Sequence, residues 1–381
     1  MSSTSTISSI ASTVTSALAT ASASVDPNDV NYYSGSVPNL RFNACMAAIF
    51  FLLLVFHGFV GAYTKQWWIC VCFVCACVLE TLGYIGRALV HQDGGPQADY
   101  FIMQIVCLTI APVFTMAGIY YQLAKLIEIY GYNFALLPTP MSYSYIFIAC
   151  DIVSLVIQAI GGGTSASAVR ELKSTDTGDN IFVAGLAVQV ASMTIFLGLW
   201  FHFLYEIYVK TRAEYLGISH WKWGQLYRVS RFDIDHMFRP KYRMIREGHR
   251  WTFRYFNLAL TVAVLFVYVR CIYRVAELAE GWNGNLISHE WYFIALDALM
   301  MSLATVVLSV FHPGFAFLGR EVQIPVTSTK KGLEDTEDDS KQSHNDFDNR
   351  DEKESESNSR TGVLSSIFGR KSRKDRFANF S

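Results

Sequence analysis

Charge is scarce in this chain. Lys, Arg, Asp and Glu make up 17% of its 381 residues, while 52% are hydrophobic and the mean hydropathy is +0.26. Soluble domains carry about 25% charged residues, so the composition excludes an ordinary soluble enzyme and points to a membrane. Short segments of alternating hydrophobicity are missing, which excludes a transmembrane β-barrel. No Gly-x-x-x-x-Gly-Lys-Ser/Thr loop occurs, which excludes a P-loop ATP-driven pump. The last apolar run, 290–318, has no lysine to hold retinal covalently. The Asp-Arg-Tyr and Asn-Pro-x-x-Tyr signatures of the common seven-helix receptor class are absent. So is any paired His motif, leaving a zinc hydrolase only the solitary His57, His202 and His312. Residues 1–25 lack a basic segment followed by a compact apolar core, so no secretory signal is expected and the first apolar run acts as its own membrane signal. None of the eight cysteines falls in an expected outer loop, so no disulfide framework is expected. Cys70-x-Cys72-x-x-Cys75-x-Cys77 points around most of a helix circumference and reads as packing, not as a metal site.

Long apolar runs are abundant. Seven stand out, at about 42–63, 68–90, 101–124, 142–161, 181–208, 253–273 and 290–318. Each is near or above the roughly 20 residues that cross a bilayer as a helix, and the longer ones imply tilt or interfacial extension. The expected fold is an all-α integral membrane protein of seven transmembrane helices. Basic residues set its orientation. Between the fifth and sixth runs stand Lys210, Arg212, Lys222, Arg228, Arg231, Arg239, Lys241, Arg243, Arg246 and Arg250, with Arg254 at the start of the sixth, opposed by Glu214, Asp233, Asp235 and Glu247. This long basic loop, 209–252, is expected in the cytoplasm, and an odd number of spans then puts the N-terminus outside and the C-terminus in the cytoplasm. Lys65 and Lys125 agree as inner residues; Arg41, Arg170 and Lys173 are mild exceptions. The organisation expected is an extracellular Ser/Thr-rich arm over 1–40, a membrane domain over 41–319 and a disordered cytoplasmic tail over 320–381. The tail carries an acidic block at 334–339 and a basic cluster at 370–374 that, with the apolar stretch before it, is expected to dock weakly on the inner leaflet. It is also the place for cytoplasmic partners. Topology alone accounts for the basic loop, so nucleic acid is not an expected partner.

Against this apolar background, four runs carry polar groups at helical spacing. They are Glu80, Tyr84 and Arg87; Asp151, Ser154 and Gln158; Arg270, Arg274 and Glu277; and Glu290 with Asp297. Steps of three, four or seven residues put each set on one helix face. A charge at mid-helix in a membrane costs about 2.5–3.5 kcal/mol even on the lenient insertion scale. One such residue is accounted for by interhelical hydrogen bonding. Acids on three different runs point instead to a shared polar interior with arginines near its outer mouth. Gln189 on the fifth run and His312 at the end of the seventh join the set. Pro112 in the third run lacks an N–H and so frees a carbonyl. Gly161-Gly162-Gly163 either end the fourth helix or admit a neighbouring backbone. No catalytic residue, metal ligand or cofactor is expected. A seven-helix receptor with the N-terminus outside would use the same interior. A membrane zinc hydrolase stands behind that reading.

In chain order, the motifs are Glu80-x-x-Gly83-Tyr84-x-x-Arg87, Ala111-Pro112 with Ala117 and Tyr120, Asp151-x-x-Ser154-x-x-x-Gln158-x-x-Gly161-Gly162-Gly163, Gly185-x-x-x-Gln189, Arg270-x-x-x-Arg274-x-x-Glu277, and Glu290 through Asp297 to His312-Pro313. Together they resemble the fungal lipid-translocating exporter family, which includes the aminocholesterol-resistance proteins. The stretch Val37-Pro38-Asn39-Leu40-Arg41-Phe42-Asn43 looks most like the branch conferring resistance to sphingoid long-chain bases. The resemblance covers about 37–320. It implies a multi-pass plasma-membrane protein that exports sphingoid bases or related amphipathic lipids from the inner to the outer side. The polar residues fit that ligand class. Glu80, Asp151 and Asp297 offer a carboxylate to the ammonium group and acceptors to the hydroxyls, while the alkyl chain stays in lipid. Asp151 or Glu80 is the expected counter-ion.

Overall fold

The structure, a computed structural model, describes residues 38–92, 98–137, 139–170, 173–217, 228–247, 251–281, 284–317 and 324. Nearly all of the expected arm, and the expected tail apart from Ile324, lie outside the described residues. Seven long helices follow in order: α1 Leu40–Tyr63, α2 Trp67–Gln92, α3 Ala98–Tyr130, α4 Pro140–Arg170, α5 Asp176–Tyr205, α6 Trp251–Ala279 and α7. Helix α7 starts as Glu290–Phe293, passes through a π-helical turn at Ile294–Ala298 and continues as Leu299–Val310. A second π turn, Glu206–Lys210, prolongs α5 into Thr211–Tyr215. Among the described residues no strand occurs, and seven helices are long and apolar enough to cross a membrane. The chain is an all-α, multi-pass membrane protein.

Burial is inverted relative to a water-soluble fold. Phe59 is 72% exposed and Leu52 68%, while Glu80 is 1% exposed and Asp297 fully buried. Apolar side chains face outward because hydrocarbon is their solvent, and charges turn inward to find one another.

Local chemistry sets the helix ends. The Asn39 side chain accepts from the amides of Arg41 and Phe42 and caps α1. Helix α1 closes with Gln66 N–H on the Gly61 carbonyl and Lys65 N–H on the Ala62 carbonyl, the paired bonds of a Schellman motif. Its left-handed position, φ 56°, is filled by Lys65 where glycine is usual. Helix α4 runs through Gly161-Gly162-Gly163 to Arg170, so these glycines do not end it. Of the two roles expected for them, close approach holds at Gly161, which abuts the Phe182 backbone and the Gly178 carbonyl. Gly185 on α5 likewise abuts Gln158 and the Ser154 carbonyl.

The chain divides into two compact units. The first, within 1–123, 143–200 and 250–323, holds most of every long helix. The second draws on 124–142, 201–249 and 324–381. Its described part is organised around the end of α3, where the last carbonyls have no partner within the helix. Arg239 donates to the Glu128 carbonyl at 3.2 Å, Arg246 to the Ile129 carbonyl at 2.9 Å, and the Arg239 amide to the Tyr130 carbonyl at 3.4 Å. Arg239 also pairs with the Glu128 carboxylate at 2.5 Å, and Arg246 with Asp235 at 2.7 Å. Tyr130 packs edge-on against Phe203 and Phe238. Arg239 and Arg246 are thus structural caps, at the helix end where positive charge is favoured.

Candidate functional site

The site lies in the first unit and begins with the stripe on α6. Arg270 Nε donates to Asp297 Oδ1, and Arg274 Nε lies 3.1 Å from Asp297 Oδ2. Arg274 Nη1 also donates to Glu277 at 2.7 Å, and the Tyr273 hydroxyl donates to the other Glu277 oxygen at 2.8 Å. All five side chains are buried. Asp297 sits in the π turn of α7, a local irregularity that recurs at functional sites. Two arginines and two acids therefore close a neutral set.

Arg270 has a second acceptor. Its Nη2 donates to the Leu108 carbonyl of α3. Leu108 stands four residues before Pro112, so this is the carbonyl that loses its helical amide to the proline. The group freed by Pro112 is taken by an arginine from another helix, and α3, α6 and α7 are joined through one guanidinium.

Glu80 stands near the middle of α2, within the fields of Arg270, Arg274 and Asp297. Among the described residues neither carboxylate oxygen has a hydrogen bond. The buried Tyr84 hydroxyl, one turn further on, also lacks one; its ring stacks on Phe50 at 5.6 Å and meets Phe293 edge-on at 6.4 Å. Towards the start of α7, Arg87 lies 3.5 Å from Glu290, donates to Asn43 at 3.2 Å and covers the Phe293 ring at 3.8 Å. The guanidinium of Arg274 lies 5.9 Å from the centre of that ring. The Asn39 amide donates to Glu290 at 2.9 Å and ties the start of α1 to α7.

The remaining candidates make separate contacts. Asp151 accepts from the Tyr120 hydroxyl at 3.0 Å, Ser154 donates to its own helix at the Asp151 carbonyl, and Gln158 donates to Gln189 at 3.2 Å. Asp151 shares no hydrogen bond with the α6–α7 cluster among the described residues. His312 is in a different place. Its Nδ1 accepts from the Gly314 amide at 3.0 Å, and its ring lies 5.6 Å from that of His57, whose Nε2 meets Ser309 Oγ at 2.9 Å. A narrow cleft between α3, α5 and α6, bordered by Pro112, Gln189, Arg270 and Arg274, has room for about one water molecule. Among the described residues no three His, Cys, Asp or Glu side chains gather to hold a metal ion.

Sequence reasoning names the stripes but misses Asn43, Tyr273, Phe293 and the Leu108 carbonyl as their partners. Tyr273 and Glu277 stand at a four-residue helical step, a signal within reach of the sequence. The other three are brought in by packing.

The family described as RTA1 like protein matches residues 73–320, which include Glu80, Asp151, Arg270 and Asp297. The sphingoid long-chain base transporter RSB1 of Saccharomyces cerevisiae strain ATCC 204508 / S288c is 54% identical over 301 residues, covering 79% of this chain and 78% of the relative. The protein of the same name from strain Lalvin EC1118 / Prise de mousse is 55% identical over the same length and shares. Protoporphyrin uptake protein 1 of S. cerevisiae is 29% identical over 240 residues, 62% of this chain and 66% of its own. No solved structure matches. A family match over nearly two thirds of the chain, with relatives above half identity, is decisive: this chain belongs to the RTA1-like protein family.

Proposed function

We propose that this chain translocates sphingoid long-chain bases, or related cationic amphipathic lipids, from the inner to the outer side of the plasma membrane and so confers resistance to them. The observation that carries the reading is the identity of 54–55% over 79% of the chain to proteins named sphingoid long-chain base transporter. The geometry supports it. The ligand presents an ammonium group, hydroxyls and one alkyl chain. The first unit offers buried carboxylates and a tyrosine hydroxyl inside, and a lipid-facing apolar surface for the chain outside. In this reading the N-terminus is outside, and the segment 209–252 and the tail are cytoplasmic, where the tail meets its partners. The protein acts as a translocator and not as an enzyme.

The test is reconstitution. Purified protein in liposomes is expected to move a fluorescent sphingoid base from one leaflet to the other, faster than protein-free liposomes do. Binding of the base without movement would replace this reading with a receptor-like lipid sensor that regulates lipid asymmetry through the inner loop and the tail.

A further inference from the structure

Counting the charges around α6 and α7 leaves one acid over. Arg270 and Arg274 supply two positive charges, and Asp297 and Glu277 take up both. Glu80 is the third acid, 1% exposed, with no hydrogen bond and no direct ion pair to either oxygen among the described residues. A carboxylate held dry and unpaired is strongly disfavoured. Among the described residues, the titratable groups coupled to it electrostatically do not supply the missing cation. Cys77 and Tyr84 share its helix, Cys107 comes from α3, Arg270 and Arg274 from α6, and Asp297 from α7. The thiols and the phenol carry no positive charge, and both arginines are already matched.

We propose that Glu80 is an exchange site for one monovalent cation, holding a proton in the empty protein and the ammonium of a sphingoid base in the loaded one. The proposal rests on the transport reading and deepens it. On loading, the carboxylic acid gives its proton to water, and the carboxylate so formed takes the positively charged ammonium as hydrogen-bond donor and counter-ion. One proton leaves for each base bound, so the charge inside the membrane is the same before and after. Asp297 and Glu277 keep their arginines throughout and hold the site in shape.

Isothermal titration calorimetry with a water-soluble short-chain sphingosine, in buffers of different ionisation enthalpy at pH 7, counts the protons released. Detergent-purified full-length protein is expected to release one proton per base bound. Glu80→Gln, which keeps shape without charge, is expected to bind at least about tenfold more weakly and to release none. A measurement on the unaltered protein guards against a misfolded variant: the infrared band of a protonated carboxyl group should disappear when the base is added. Binding by the wild type with no proton released and no loss of that band overturns the proposal, as does a full proton from a folded Glu80→Gln protein. A wild type that binds no base at all overturns the transport reading as well, so the two failures are told apart.

Discussion

Arg270 serves two acceptors from inside the membrane domain, the Asp297 carboxylate and the carbonyl left open by Pro112. Removing one partner of a buried ion pair typically costs about 3–5 kcal/mol, because the other charge stays behind. Arg270→Ala is therefore expected to lower the thermal unfolding midpoint of the detergent-purified protein sharply. The Arg270→Ala/Asp297→Ala double variant should recover part of the loss, which a double-mutant cycle reads directly. The two candidate counter-ions also separate at this scale. Asp151 is engaged by the Tyr120 hydroxyl, and an asparagine there keeps an acceptor for it. Cells with Asp151→Asn at normal surface level are expected to stay resistant to sphingoid bases, whereas cells with Glu80→Gln are not. Equal sensitivity of the two strains in a growth assay would contradict this assignment.

Individual helices carry their own wagers. Lys65 occupies the left-handed position that closes α1, a conformation that costs a residue with a Cβ about 1 kcal/mol. Lys65→Gly is expected to raise stability by up to about that amount, measured as a higher unfolding midpoint. On α4, Gly161 and Gly163 are only two residues apart but differ in surroundings. A Cβ at Gly161 would run into the backbone of α5, while one at Gly163 meets nothing within 4 Å. Gly161→Ala is expected to destabilise by about 1–3 kcal/mol as an overpacking change. Gly163→Ala should be neutral or stabilising by about 0.5–1 kcal/mol, because alanine is the better helix former. If both variants unfold at the same temperature, the close approach of α4 and α5 does not matter to stability.

For the molecule as a whole, the proposed orientation puts the two termini on opposite sides, on the strength of seven apolar helices among the described residues and the basic segment 209–252. An epitope tag at the N-terminus is expected to bind antibody on intact cells, and one at the C-terminus only after permeabilisation. The reverse staining would invert the direction of transport proposed above. Exchange of one proton for one ammonium ion is electrically silent. In liposomes the rate of base movement should therefore follow an imposed pH gradient and ignore an imposed potassium diffusion potential. A rate that follows the potential would mean that net charge crosses with the lipid.

The number of helices, their all-α class and their approximate bounds were legible in the sequence, because hydrocarbon leaves the backbone no alternative to self-satisfied helices some 20 residues long. The polar stripes were legible too, since a face shared every three or four residues is a property of one helix. What lies between helices was not. Arg270 matching Asp297, Glu80 left without a hydrogen-bond partner among the described residues and Asp151 paired with Tyr120 depend on how distant segments meet. So do the arginine on the carbonyl freed by Pro112, and Arg239 and Arg246 closing the end of α3. His312 follows the acids in the same run of motifs along the chain, yet packs with His57. Spacing along a helix determines which side chains look in the same direction; only the packing of helices decides which charges neutralise one another, and hence which one is left over.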